Sequence, residues 1–143
     1  MAIQQVSVFI ENREGRLAEV SRLLTAKGVD IRALALADTT DFGVLRLIVN
    51  DPVSCAETLK AAGLVARLTD VIALGIEDRP GGLDHVLSIF AEHKINVEYM
   101  YAFAGKNDGK AIVVFKTKDN VKSEELAGAS GIPVLSGEVF GKL

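Results

Sequence analysis

Two stretches of this chain carry polar side chains and glycines in matching places. Asn12-Arg13-Glu14-Gly15-Arg16-Leu17 and Asp78-Arg79-Pro80-Gly81-Gly82-Leu83 each lie between a β-rich run and a helical stripe. Asp30-Ile31 and Asn96-Val97 each open a second β-rich run. A loop that enters a helix offers unpaired amides and the positive end of the helix dipole, which complement a carboxylate. Gly15, Gly81 and Gly82 have no Cβ, so a small ligand can approach that backbone closely. The side-chain oxygens of Asn12, Asp78, Asp30 and Asn96 are acceptors for an ammonium group. Such groups together can hold a small zwitterion. Plainer readings stand beside that one. Asn12 and Asp78 suit a turn or an N-cap, and Asp30 and Asn96 suit a turn after a helix. Arg13 and Arg79 suit solvated loop positions, and Gly81-Gly82 can be a purely backbone requirement.

Catalytic chemistry finds little footing. His85 lies off the apolar stripe of its helix, and His93 sits at the end of the same helix. Cys55 is near the start of a predicted helix, a place that can lower a thiol pKa, but no histidine accompanies it. There is no zinc-ligand spacing, phosphate-binding loop or dinucleotide fingerprint. The expectation is a protein that is not an enzyme and uses neither cofactor nor metal. Lysine plus arginine number 16 against 19 acidic residues, a net charge of −3. That leaves no basic excess to neutralise phosphates and argues against nucleic acid as a partner. A hydrophobic content of 49% excludes a disordered chain. The longest apolar runs, Val71–Ile76 and Tyr99–Gly105, fall short of the roughly 18–20 residues that cross a bilayer as a helix.

The single cysteine cannot close an intrachain disulfide, and the opening MAIQQVSVFI lacks the basic and apolar stretches of a signal peptide. The expected compartment is the cytoplasm, with no membrane partner. Mean hydropathy is +0.28, which points to apolar surface covered by another repeat or subunit, so a homodimer is expected.

The chain repeats itself. Ile10, Glu11, Arg13, Gly15, Leu17 and Val20 match Ile76, Glu77, Arg79, Gly81, Leu83 and Val86, each pair 66 positions apart. The same offset sets Gly43 against Gly109 and Val49 against Phe115, so one ungapped register extends for about 45 residues. Each repeat reads strand, helix, strand, strand, helix, strand. First strands are Val6–Ile10 and Val71–Ile76, and second strands are Ile31–Ala37 and Val97–Phe103. Third strands are Val44–Val49 and Ala111–Phe115, preceded by Asp41-Phe42-Gly43 and Asn107-Asp108-Gly109 as hairpin turns. Second helices lie over Ser54–Ala62 and Ser123–Ala129, and last strands over Leu64–Leu68 and Val134–Phe140. Val97, Tyr99, Tyr101 and Phe103 alternate on one strand face, where the first repeat has Ile31, Ala33, Ala35 and Ala37. Leu64 to Ile76 contains no turn dipeptide, so one repeat should run almost directly into the next. The units are 1–69 and 70–143.

The order βαββαβ is the ferredoxin-like split βαβ. The expected class is α+β: two tandem units with antiparallel sheets side by side and helices on one face. In Asp78-Arg79-Pro80-Gly81-Gly82-Leu83, with Ile95-Asn96-Val97 after the helix, the sequence resembles the ACT domain, a ligand-sensing module of amino-acid metabolism. This stretch looks much like the serine-binding regulatory domain of phosphoglycerate dehydrogenase. The first repeat departs, with no proline in Arg13-Glu14-Gly15 and Asp30 in place of the asparagine.

The resemblance covers both repeats and implies a stand-alone tandem ACT protein that binds a free amino acid and acts as a regulator. It further implies one site from the Asn12 loop with Asn96-Val97, and one from the Asp78 loop with Asp30-Ile31. The second pairing brings two carboxylates together, which a ligand ammonium would neutralise. A detached regulatory subunit, working mainly by contact with an amino-acid biosynthetic enzyme, is the alternative. A small enzyme of acylphosphatase type is a more distant rival.

Overall fold

A computed structural model describes residues 3–38 and 41–138. Contacts divide the chain into Gln4–Thr69, unit one, and Asp70–Leu143 with Met1–Ile3, unit two. Both are ferredoxin-like βαββαβ units with an antiparallel sheet and helices on one face.

In unit one, strand β1 (Ile3–Glu11) leads into helix α1 (Arg16–Ala26). Strands β2 (Ile31–Asp38) and β3 (Phe42–Val49) follow, then helix α2 (Pro52–Ala61). Strand β3 pairs antiparallel with both β1 and β2. In unit two, helix α3 (Gly82–Glu92), strands β5 (Val97–Asn107) and β6 (Lys110–Thr117), helix α4 (Asn120–Ala129) and the short strand β7 (Val134–Leu135) repeat the plan. Strand β4 (Val65–Ile76) is one unbroken strand of 12 residues across the repeat boundary, as the missing turn signal required. Its second half pairs with β6 and β7.

Local chemistry explains the element ends. Asp51 and Asp119 cap α2 and α4 by accepting from the amides of Ser54 and Lys122. Pro52 takes the first turn of α2, where its missing N–H is no loss. Gly28 ends α1 at φ 71°. There the amide of Val29 reaches back to the Leu24 carbonyl, the six-to-one bond of a Schellman ending.

The ungapped register fails at the third strand. Arg16 and Gly82 open the first helices, 82 − 16 = 66, but Asp51 and Asp119 cap the second ones, 119 − 51 = 68. Ile10 pairs with Gly43 and Ile76 with Ala111, so Gly43 corresponds to Ala111 and not to Gly109. Likewise Val49 corresponds to Thr117, not Phe115. The extra length lies in the β5–β6 hairpin, whose pairing shifts between Ala102 and Lys106. Asp108 and Gly109, at φ 52° and 74°, make a two-residue turn of type I′. Phe42 and Gly43 lie inside β3 instead of in a turn; residues 39–40 fall outside the described ones. The alternating face of β5 is interrupted by register shifts, the first between Val97 and Tyr99. The last strand of unit two is only Val134–Leu135, with residues 137–138 helical. The remainder of the expected strand, through Phe140, lies outside the described residues.

Each unit has its own core. In unit one Val8, Val20, Leu24, Leu45, Leu47 and Leu59 pack between sheet and helices. In unit two Ile72, Leu74, Val86, Phe90, Phe115 and Ala127 do so.

Candidate functional site

The glycine loops have the same backbone in both units. In unit two the Gly82 amide donates to the Arg79 carbonyl at 3.0 Å, with Gly81 at φ 90°. Pro80 supplies the restricted φ of a type II turn and Gly81 the positive one. In unit one the Arg16 amide donates to the Arg13 carbonyl at 3.3 Å and Gly15 stands at φ 78°. This is the same turn, closed without a proline. Gly15 and Gly81 are the N-cap residues, and neither helix has a side-chain cap. Asn12 and Asp78 are therefore not N-caps, and the first helical turns keep open donors. The Arg16 and Glu19 amides bond the Arg13 and Gly15 carbonyls, while those of Leu17 and Ala18 lie in the stretch a helix cannot satisfy itself. Gly82 has a further constraint: a Cβ there would stand 2.0 Å from the Glu77 carbonyl oxygen.

Charge is arranged differently in the two loops. In unit one Arg13 bonds Glu11 at 3.1 Å and Glu19 at 3.4 Å, and Arg16 bonds Glu19 at 2.9 Å. The Arg16 hydrogen bond, with Arg13 adding to it, holds the Glu19 carboxyl below its usual range. Arg13 is thus an exposed arginine, as expected, but one held in ion pairs. In unit two the position of Glu19 is His85, exposed as expected, and among the described residues Arg79 has no ion-pair partner. Asp78 pairs with Lys106, and Glu77 with Lys110 at 3.7 Å. Asp30 pairs with Arg32 at 3.2 Å. Both carboxylates of the expected acidic pairing already have a cation from the protein.

Strand starts and loops lie at opposite ends of each sheet. Asp30 faces Asn50, whose side chain accepts from the Asp30 amide at 2.9 Å, and Ile31 pairs with Val49. Asn12 instead donates its amide to the Asp41 carbonyl, at the other end of β3. Asn96 accepts from the Lys118 amide, Val97 pairs with Thr117, and Asp78 with Lys106 marks the far end. No single unit brings its own loop and strand start together.

Hollows flank both loops. One of about 180 Å³ lies beside Asn12 and Arg13, with Ile10, Leu17, Leu36 and Gly43 in its walls. Another of about 180 Å³ lies beside Arg79 and Gly82, with His85, Lys110 and Gly131 around it. Along α1 the Asn12 hollow is followed by an apolar groove of about 190 Å³ over Leu17, Leu24, Ile31, Leu34 and Leu47. Leu17 and Ile31 were expected among the site residues, but the groove between them was not. Its signal was present as the smaller residues Ser21, Leu24 and Leu47 at positions where the second repeat has Leu87, Phe90 and Phe115. The wrong offset at the third strand hid the last of these.

Cys55 is fully buried, and loss of water, with Asp51 nearby, pushes its thiol up to about 11. Its place at a helix start does not lower it. His93 places Nδ1 3.0 Å from the Ile89 carbonyl at the end of α3. Among the described residues no group of His, Cys, Asp and Glu is arranged to hold a metal.

A family model described as an ACT domain pair matches residues 1–133. Among solved structures, a protein from Bacteroides thetaiotaomicron is 34% identical, over 100% of this chain and 98% of that one, with a TM-score of 0.92. The ligand-free regulatory subunit of aspartate kinase from Thermus thermophilus shares the fold at 14% identity, over 89% and 91% of the two chains, TM-score 0.64. An aspartate kinase from Clostridium acetobutylicum does so at 10% identity, over 88% of this chain and 32% of that one, TM-score 0.56. No curated protein sequence matches.

Proposed function

This chain belongs to the family of ACT domain pairs, and from that premise we propose that it is a regulatory subunit for an enzyme of amino-acid metabolism. ACT domains are regulatory, non-catalytic modules, so the activity it governs lies outside this ACT pair. The observation that carries the reading is the likeness of the pair to an aspartate kinase regulatory subunit across nine-tenths of both chains. A free amino acid is the signal. The open amides at the starts of α1 and α3 complement its carboxylate, and the acceptors of the Asn12 and Asp78 loops complement its ammonium group. The likeness of Arg79-Pro80-Gly81-Gly82-Leu83 to a serine-binding domain favours a small ligand at the unit-two loop.

Affinity purification of the tagged chain tests the subunit reading. Recovery of a catalytic protein of amino-acid metabolism, in an amount that free amino acids alter, is the expected result. A thermal-shift panel of the twenty amino acids tests the signal. At 100 times its dissociation constant a ligand stabilises by about 2.7 kcal/mol. Asp78→Ala should diminish the response of the unit-two loop more than Asp84→Ala. An enzyme recovered regardless of amino acids, with no thermal shift, would leave a constitutive subunit and remove the sensor.

A further inference from the structure

We propose that the groove of unit one receives a large apolar side chain of a free amino acid whose charged groups are held at the Asn12 loop. The inference rests on the amino-acid-sensing reading and names the ligand class for one of the two units.

The groove and the polar hollow beside Asn12 share Leu17 as a common wall. Strand registers fix their continuity. Leu34 faces Leu47 across β2 and β3, Leu36 faces Leu45, and Asp38 faces Gly43. Residues opposite each other point to one side, and alternate residues share it. The path from Leu34 to Leu36 therefore runs from the groove to the polar hollow on the helix side of the sheet. One end of this cleft lies beside Asn12 and the first-turn amides of α1. The other is walled by leucine, isoleucine and valine, with Leu17 and Leu34 still 40% and 55% exposed. An engineered cavity of roughly 150 Å³ with similar walls admits benzene, so about 190 Å³ accommodates the side chain of leucine or isoleucine.

Unit two carries larger side chains at the equivalent positions. Phe90 stands in the place of Leu24 and Phe115 in that of Leu47, and their rings meet edge to face with centroids 5.6 Å apart. Leu87, in the place of Ser21, packs onto that core. The apolar wall left open in unit one thus has bulkier counterparts in unit two. A ligand of zwitterionic head and apolar tail matches the open version at both ends.

Titration calorimetry and thermal shifts on the full chain provide the test, with leucine, isoleucine, alanine, serine and aspartate as probes. Leucine or isoleucine should raise Tm on the order of 5–10 °C at a hundredfold excess over its Kd. Alanine and serine should bind at least tenfold more weakly, since each missing methylene lowers affinity in an apolar pocket. Ser21→Leu plugs the groove from an exposed helix position with the residue unit two already carries. It should lower leucine affinity at least tenfold and leave alanine unchanged. Leu34→Ser, at an exposed edge position, should also weaken leucine while leaving the fold intact.

Serine or alanine binding as tightly as leucine, with Ser21→Leu silent, overturns the groove assignment but keeps an amino-acid sensor. No response to any amino acid overturns the sensor reading itself. A variant that lowers the sedimenting mass and leaves leucine affinity untouched assigns the groove to a second copy of the chain, which also overturns the proposal.

Discussion

Beneath the helix that follows each glycine loop, unit one places Leu24 and Leu47 where unit two places Phe90 and Phe115. Both choices complete a core, because apolar residues of about the right volume suffice for the fold. They differ in what is left over. A groove borders the leucines, while the phenylalanines meet each other edge to face. The loops differ in the same sense: Arg13 is tied by Glu11 and Glu19, whereas Arg79 has neither tie. A duplicated fold can thus keep one backbone and give its two copies different apolar walls and loop charges.

Truncating the aromatic pair should break the contrast most strongly. Phe90→Ala removes a fully buried ring and its edge-to-face partner, and should cost about 3–5 kcal/mol in denaturant unfolding. Leu24→Ala should fall toward 2–3 kcal/mol, the lower part of its range, because the groove beside it lets neighbours relax and water enter. Equal losses would mean that the groove does not soften unit one.

A second contrast depends on pH. Cys55 of unit one corresponds to Ser123 of unit two, since 123 − 55 = 68, and both are fully buried. Ser123 joins the Thr117 hydroxyl at 2.8 Å and the Asp119 carbonyl at 2.7 Å, and it does not titrate. The Cys55 thiol, raised mainly by burial, stays neutral up to about 11 in the folded state, against 9.0 for a free thiol. Its contribution to stability is fully present below pH 9 and disappears as pH rises toward 11. Relative to Cys55→Ser, the parent chain should lose up to about 3 kcal/mol over that window, measured by unfolding at pH 8, 9.5 and 11. Parallel curves for the two proteins would remove the effect. Alkylation at pH 8 should likewise require denaturant.

The helix entries should differ next. Gly82→Ala drives a Cβ into the Glu77 carbonyl and should destabilise by about 1–3 kcal/mol through forced backbone movement. Arg16, at the equivalent place, already has a Cβ. Arg16→Ala loses the pair with Glu19, within the 0–1 kcal/mol range of such ion pairs, and the packing of a half-buried side chain. Comparable midpoints for the two variants in urea would show that the entries are interchangeable.

Much of this plan was legible in the residues. Two repeats, their βαββαβ order and the unbroken Leu64–Ile76 stretch all follow from local rules of turn and periodicity. The third-strand register was not legible. An ungapped offset is favoured by the match of Gly43 to Gly109, yet those glycines serve different ends. Gly43 lies in a strand with the Leu36 side chain 3.2 Å from where its Cβ would be, and Gly109 has φ 74° in a turn. Ion pairs were also hidden, because Lys106 reaches Asp78 only once the longer β5 hairpin brings it there. The two glycines are a direct check. Gly109→Ala should cost about 1–2 kcal/mol from the left-handed backbone. Gly43→Ala should cost less, since the far end of a leucine can give way.

The smallest expected change would make the first loop resemble the second. Glu14 corresponds to Pro80, at the position of a type II turn where φ near −65° is wanted. The turn around it is already formed, with Gly15 at φ 78° and the Arg16 amide on the Arg13 carbonyl. Among the described residues the Glu14 amide makes no backbone bond and its carboxylate no ion pair. Proline there forfeits neither, and it reduces the freedom of the unfolded chain. Glu14→Pro should therefore raise unfolding stability by about 0.4–1 kcal/mol, seen as a higher midpoint at constant m-value. Because Arg13 precedes the new proline, its backbone is pushed toward extended geometry. A loss of stability would show that the Glu11–Arg13–Glu19 cluster holds a backbone shape that the proline of unit two does not share.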